Sequence, residues 1–217
     1  MFVTVEGGDG AGKTTQIARL ATALQGLGHT VVTTREPGGT EVAERIRAVL
    51  LDPSLSPTPM TDTLLNFAAR ADHVATVIRP ALDRGEIVLC DRFTDSTRAY
   101  QGMGQGFPLD VIETLAFLIA TEPDVTIVLD IPVTTSLSRA AARPGGLDRY
   151  ERLGPDFLER VRAGFGDIAR GNPERCTLID ADRPIEAVAA DILAAITARL
   201  HPQTPSIAPQ PPAATRA

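Results

Sequence analysis

Residues 1–15, MFVTVEGGDGAGKTT, constrain this chain more than any other stretch. A β-branched run, Val3-Thr4-Val5, breaks into Gly7-Gly8-Asp9-Gly10-Ala11-Gly12-Lys13-Thr14-Thr15, and helical spacing of apolar residues begins at once. The segment satisfies G-x-x-x-x-G-K-[ST] with a strand before it and a helix after it, the context that a phosphate-binding loop requires. Glycine lets backbone N–H groups turn inward and approach phosphate oxygens without a Cβ in the way. The helix that follows adds unpaired N–H groups and the positive end of its dipole. Lys13 is long enough to reach the β- and γ-phosphates, and the Thr14 hydroxyl is a ligand for Mg²⁺. A nucleoside triphosphate is therefore expected on residues 7–15.

Strand and helix signals alternate along the rest of the chain. The spacing of Ile17, Leu20, Ala21, Leu24 and Leu27 predicts a helix over Lys13–Leu27, stopped by Gly26 and Gly28. A strand over 30–34 ends in Arg35-Glu36-Pro37-Gly38-Gly39-Thr40, too rich in turn formers to continue either element. Helical spacing resumes over Glu41–Leu51 and again over Thr61–Arg84, where Pro80 is expected to kink the helix or split it. Glu86–Cys90 reads as a strand covered on both faces and delivers Asp91-Arg92-Phe93 at its end. Residues 96–107 form a polar, glycine-bearing stretch with no clear period, and 108–121 return to helix. Further strands are predicted at Val125–Asp130 and Cys176–Asp180, with helices over 133–143, 155–170 and 184–200.

This order predicts an α/β fold: a five-stranded parallel sheet with helices on both faces. In such a sheet ligands sit beyond the carboxyl ends of the strands. The phosphate loop, Arg35-Glu36 and Asp91-Arg92 should therefore share one crevice. One domain is expected over 1–200, with a short lid at about 139–152 hinged on Pro144-Gly145-Gly146. The segment HPQTPSIAPQPPAATRA at 201–217 lacks a period and is expected to be a disordered, proline-rich tail.

The net charge of −6 argues against duplex DNA or another broad polyanion as partner, so local arginine positions matter more than the total. No apolar run is long enough to span a bilayer, and the first residues enter a strand without a signal segment, which points to the cytoplasm. Cys90 and Cys176 lie in apolar, strand-like runs and read as buried free thiols. At the strand ends, Asp91 is placed to hold Mg²⁺ or accept a proton. Arg35 and Arg92 are placed to grip an acceptor phosphate with their planar forks. Arg139, Arg143 and Arg149 flank the hinge glycines and read as charges that a closing lid lays on a transferring phosphoryl group. Phe67 and Arg70 lie on the long helix. His73 there reads as a surface residue without a role.

GGDGAGKTT, REPGGT, LLNFAARADH, DRFTDSTRAYQG and LDRYE, in this order, resemble the bacterial thymidylate kinases. That family, of nucleoside-monophosphate-kinase type and P-loop NTPase fold, phosphorylates dTMP with ATP. The resemblance covers roughly residues 1–200. It implies ATP on Gly7 to Thr15 with Arg139 beside it, and Mg²⁺ held by Thr14 and Asp91. It further implies Asp9 facing the acceptor's sugar 3′-hydroxyl and phosphate, and Arg35 and Arg92 on the dTMP phosphate. Arg70 matches the residue bonded to the thymine carbonyl, while Ser96, Thr97 and Gln101 match polar contacts around the base. Tyr100 matches the aromatic packed on the sugar, where it would crowd a 2′-hydroxyl.

Eukaryotic members carry an arginine inside the phosphate loop where this chain has Gly10. Gly10 together with Arg139, Arg143 and Arg149 fits the bacterial arrangement, in which the lid supplies the catalytic arginines alongside Lys13. The family often places a thymine-stacking aromatic four residues before the helix arginine; here that position is Asn66, and Phe67, three before, either substitutes for it or belongs to the core. A homodimer is implied, with the helices at 61–84 and 109–121 as candidate faces. Two other readings share the loop: a deoxynucleoside kinase, and a switch-like ATPase using Asp130 as its Mg²⁺ acid.

Overall fold

The computed structural model describes residues 1–142 and 149–200. Its centre is a parallel sheet in the order β2-β3-β1-β4-β5. The strands are β1 (Phe2–Gly7), β2 (Val31–Arg35), β3 (Ile87–Asp91), β4 (Val125–Asp130) and β5 (Cys176–Asp180). β1 lies in the middle, every residue buried, with Val5 opposite Asp91 on one side and Ile127 on the other. The edge strands β2 and β5 are only partly covered, as sequences that mix apolar and polar residues require.

Side chains alternate between the faces. Val3, Val5, Leu89 and Ile127 point to a layer formed by α1 (Lys13–Gly26) and α9 (Ile185–Leu200), whose Leu20, Leu24, Val188 and Ile192 complete one core. Phe2, Val88 and Cys90 point the other way, onto Val74, Ile78 and Ala81. Val128 meets Phe157, Val161 and Phe165 of α8 (Pro155–Gly171) on that second face. The nearly all-apolar strands follow from burial on both sides.

α2 (Glu41–Leu51) spans the expected residues, with Thr40 capping it by accepting from Ala43 N–H. The long helix is interrupted just before Pro80. α3 (Pro59–His73) runs into a π turn over Val74–Ile78 and then α4 (Arg79–Asp83), with helical dihedrals at each junction. Proline has no N–H and its ring collides with the carbonyl four residues back. A wider turn just before it removes that conflict, so α3 passes into α4 through a π turn without leaving helical dihedrals.

A second π turn, Arg98–Gly104, follows the short α5 (Thr94–Thr97) in the stretch without a readable period. It lies against α8 so closely that a Cβ on Gly104 would collide with the Phe157 ring. Glycine there serves the packing while hiding the helical signal. α6 (Leu109–Ile119) and α7 (Val133–Ala141) complete the frame. Both cysteines are buried and free, as expected. Among the described residues no helix is long and apolar enough to cross a membrane. Residues 201–217 and Pro144-Gly145-Gly146 lie outside the described residues.

Candidate active site

The phosphate loop joins β1 to α1, and its residues follow directly from the sequence. Gly12, at φ +87, is the N-cap of α1 and supplies no side-chain acceptor, so the first turn presents its N–H groups to an incoming anion. Lys13 folds over the loop, donating to the Gly7 and Gly8 carbonyls at 3.2 and 2.9 Å. α7 holds the loop from outside: Ser136 donates to the Asp9 carbonyl and Arg139 to the Gly10 carbonyl, at 2.5 and 3.0 Å. Gly10 (φ +77) packs so close to Ser136 and Arg139 that a Cβ would have to displace them. A side chain in place of Gly10 would press on α7 and adopt an unfavourable positive φ, while Arg139 brings positive charge to the loop from α7.

Thr14 donates to Asp91 Oδ2 at 2.8 Å, bringing the two expected Mg²⁺ ligands together at the ends of α1 and β3. A hydroxyl and one carboxylate, both oxygen donors, suit Mg²⁺, which takes its remaining ligands from water and substrate phosphates. Asp130 is engaged elsewhere, by a two-pronged pair with Arg162 of α8 at 2.7 and 2.9 Å. That leaves Asp91, on the strand beside β1, as the carboxylate joined to Thr14.

Arg92 is the centre of the crevice. It sits just past β3 at φ +72, an uncommon conformation for a residue with a side chain. Its Nη1 donates to the Gly7 carbonyl and to Ser96 Oγ, both at 3.0 Å. Its Nη2 donates to Asp9 Oδ1 at 2.7 Å and to the Tyr100 oxygen at 3.2 Å. The Tyr100 hydroxyl donates in turn to Asp9 Oδ2 at 3.0 Å. Burial alone would raise the Asp9 carboxyl, but the charges of Arg92 and Lys13 and the bonds from Arg92 and Tyr100 outweigh it. Asp9 is held well below its ordinary value and stays ionised at neutral pH.

Arg70 closes the far end. It is 2% exposed and donates Nε to Glu36 Oε2 at 2.7 Å and Nη2 to Thr97 Oγ1 at 3.2 Å. Its Nη1 is buried without a protein partner, and Arg70 lines the cleft together with Asn66, Arg92, Ser96, Thr97, Tyr100 and Gln101. A buried guanidinium nitrogen left unpaired costs more than a kilocalorie per mole, on the order of 1–3 kcal/mol, unless a ligand acceptor meets it.

Residues 5–192 match the family model described as thymidylate kinase. Thymidylate kinase of Caulobacter vibrioides is 50% identical over 92% of this chain and 97% of its own length. Thymidylate kinase of Deinococcus radiodurans is 46% identical over 93% and 98%. The crystal structure of thymidylate kinase from Ehrlichia chaffeensis superposes with a TM-score of 0.75 at 35% identity, covering 90% of this chain and 98% of that one. The chain belongs to the thymidylate kinase family.

Several residues expected to serve a thymidylate kinase site take other places than the sequence suggested. Phe67 is core: its ring packs on Ile112 and Ala116 of α6 and lies 4.8 Å beneath the Arg70 guanidinium, while Asn66 faces the cleft. The surface reading of His73 is wrong. It is fully buried, shares a hydrogen bond with Thr34 Oγ1 at 2.6 Å and pairs with Glu36 at 3.0 Å. Arg149 does not face the phosphate loop. It donates to Asp62 Oδ1 at 2.6 Å and to the Leu50 carbonyl at 2.7 Å, and stacks on Tyr150, which itself lines the cleft. Arg35 lines the phosphate groove but bonds both oxygens of Glu44, at 2.9 and 3.0 Å. Arg143 lies outside the described residues.

Three residues in or behind the cleft carried no sequence signal strong enough to single them out. Asp62 is fully buried and accepts from Arg149, Tyr150, Gln101 and Gln105. In the sequence it resembles any acid in a helix's first turn. Arg47 lines both halves of the crevice and donates to the Pro37 carbonyl at 2.7 Å. Its neighbour Arg45, two residues away and so on the opposite side of α2, pairs with Glu41 in solvent. Tyr150 reaches the cleft through its hydroxyl on Asp62. Only its place in LDRYE marked that segment.

Proposed function

We propose that the crevice transfers the γ-phosphoryl group of ATP directly to the phosphate of dTMP, the reaction of the thymidylate kinase family. ATP lies with its phosphates on residues 7–15, where Lys13 exchanges the Gly7 and Gly8 carbonyls for phosphate oxygens and Arg139 stands beside the loop. Mg²⁺, when held by Thr14 and Asp91, neutralises charge on the donor phosphates. On the acceptor side Arg92 meets the dTMP phosphate, with Arg35 and Arg47 adding positive charge around it. Asp9 and Tyr100 bound the sugar, and Tyr100 crowds the place of a 2′-hydroxyl. Arg70 Nη1 offers its unused hydrogen to a thymine carbonyl, with Ser96, Thr97 and Gln101 around the base.

The observation that carries this reading is the unpartnered Arg70 nitrogen opposite the Arg92–Asp9 pair. One end of the cleft is built to read a base acceptor and the other to hold a phosphate. Transfer needs no covalent enzyme intermediate, because a nucleotide phosphate is already an anionic nucleophile. Catalysis then rests on positioning and charge, from Lys13, Arg92, Arg139 and Arg143.

The kinase unit is proposed to occupy residues 1–200 in the cytoplasm. It is proposed to act as a homodimer through α3 and α6, where Phe117 and Leu118 of α6 are 82% and 71% exposed and Leu64 of α3 is 47% exposed. The test is ADP release with ATP-Mg²⁺ and a panel of dTMP, dUMP, dCMP, dGMP, UMP and thymidine. dTMP should be the preferred acceptor. Preference for thymidine over dTMP would favour a deoxynucleoside kinase and remove the phosphate-clamp reading.

A further inference from the structure

Glu6, the residue before Gly7 at the carboxyl end of β1, is fully buried and takes no part in the transfer described above. Its two oxygens are committed to donors on either side of the Arg92 corner. Phe93 N–H donates to Oε1 at 2.7 Å and the Ser96 hydroxyl to Oε2 at 2.6 Å. The same Ser96 oxygen accepts from Arg92 Nη1 at 3.0 Å. Carboxylate, hydroxyl and guanidinium therefore form one chain. Arg92 keeps its left-handed backbone, at φ +72, only because its surroundings over-determine it, and Glu6 holds both the next residue's N–H and the side chain's partner.

We propose that Glu6 is the positioning residue of the acceptor clamp, holding Arg92 through Ser96 and the Phe93 N–H at the angle from which it meets the phosphate of a nucleoside monophosphate. The inference rests on Arg92 acting on the acceptor side. While ionised, the carboxylate is purely an acceptor, with one donor on each oxygen. Once protonated it must itself donate, and Ser96, the nearest acceptor, has to turn its hydroxyl away from Oε2.

Burial pushes the Glu6 carboxyl up to about 7. Asp95 adds to the rise, while Ser96, Arg92 and the Phe93 N–H oppose it. The charged and titratable groups around it come from every neighbouring element: Lys13 of α1, Cys90 of β3, Arg92 after β3, and Asp95 of α5. Ionisation tightens the clamp as pH rises through 7, and protonation slackens it below.

The test is Glu6→Gln, which keeps shape and removes one acceptor. kcat/KM for dTMP should fall about 10- to 100-fold, the usual effect of losing a hydrogen bond to a charged group, while KM for ATP stays within about two-fold. In the wild type, kcat/KM for dTMP should fall below pH 7 more steeply than the single proton on the substrate phosphate, whose second pKa is about 6, can explain. Glu6→Gln should retain only that single-proton limb. Wild-type kcat/KM for dTMP in Glu6→Gln would overturn the proposal, as would a single-proton limb in the wild type. If Glu6→Gln does not fold, the slope of the wild-type limb decides alone. Arg92→Ala separates the two levels. Its silence would remove the clamp itself, whereas a large loss there with Glu6→Gln unaffected would remove only the role of Glu6.

Discussion

Replacing Arg92 by Ala tests the acceptor side most directly. The side chain is 14% exposed and forms an ion pair at 2.7 Å with Asp9, which is 18% exposed. Truncation leaves Asp9 with the Tyr100 hydroxyl and with Lys13 at 3.9 Å, and removes the planar fork that a phosphate dianion would meet. Losing one partner of a buried, hydrogen-bonded charge pair costs about 2–5 kcal/mol. Carried into transition-state binding, that is a loss of roughly 30- to 4,000-fold in kcat/KM for dTMP. KM for ATP should move little, because Lys13 and the loop remain.

The backbone supplies an internal control. Alanine keeps the penalty of φ +72, whereas Arg92→Gly removes the same fork and relieves about 1 kcal/mol of left-handed strain. For a domain of this size that difference is about 2–4 °C in Tm, with the glycine variant the more stable. Coupled ADP release over a dTMP series, with thermal unfolding of both variants, reads the two effects separately. Turnover of Arg92→Ala within about three-fold of wild type would refute the clamp, and equal Tm values for the two variants would refute the strain.

Gly39→Ala should lose about 1–3 kcal/mol of stability and weaken dTMP binding. A Cβ there would lie 2.6 Å from His73 Nε2 and 2.7 Å from Thr34 Oγ1, so the REPGGT loop carrying Glu36 must shift; unchanged Tm by calorimetry would contradict this. Asp62→Asn leaves the buried Arg149 without its carboxylate and should destabilise by about 3–5 kcal/mol, as breaking a buried ion pair does, measured by denaturant unfolding. Phe117→Asp places a charge on the most exposed apolar position of α6 and should convert the proposed dimer to monomer in sedimentation without unfolding it. An unchanged mass would place the interface elsewhere.

The phosphate loop was legible because its requirements are local: glycine dihedrals, a lysine one residue past the last loop glycine, and a helix starting there. The parallel sheet was legible for a related reason, since two-sided burial writes itself into each strand as an apolar run. Asp91 and Arg92 could be placed at the crevice because strand ends in such a sheet share an edge. Three assignments failed or stayed open for a common cause, which was rotation and crossing of elements that meet only in three dimensions. One residue of helix, about 100°, puts Phe67 in the core and Asn66 in the cleft. His73 lies among polar residues on α3 and reads as surface, yet its face of the helix packs under the REPGGT loop, where Gly39 leaves it room. Residues 98–104 carry glycines that mask a π turn, and the reason for at least Gly104 is the Phe157 ring on another helix.

The buried polar chains are the deepest layer of what the fold alone decided. Glu6 meets Ser96 across 90 residues and Arg149 meets Asp62 across 87. Helix-ladder and capping hydrogen bonds and dihedral preference act between neighbours in the chain and therefore leave their mark in the sequence. Pairing of buried polar groups depends on which side chains the packed sheet and helices bring within about 3 Å, and no spacing along the chain encodes that distance.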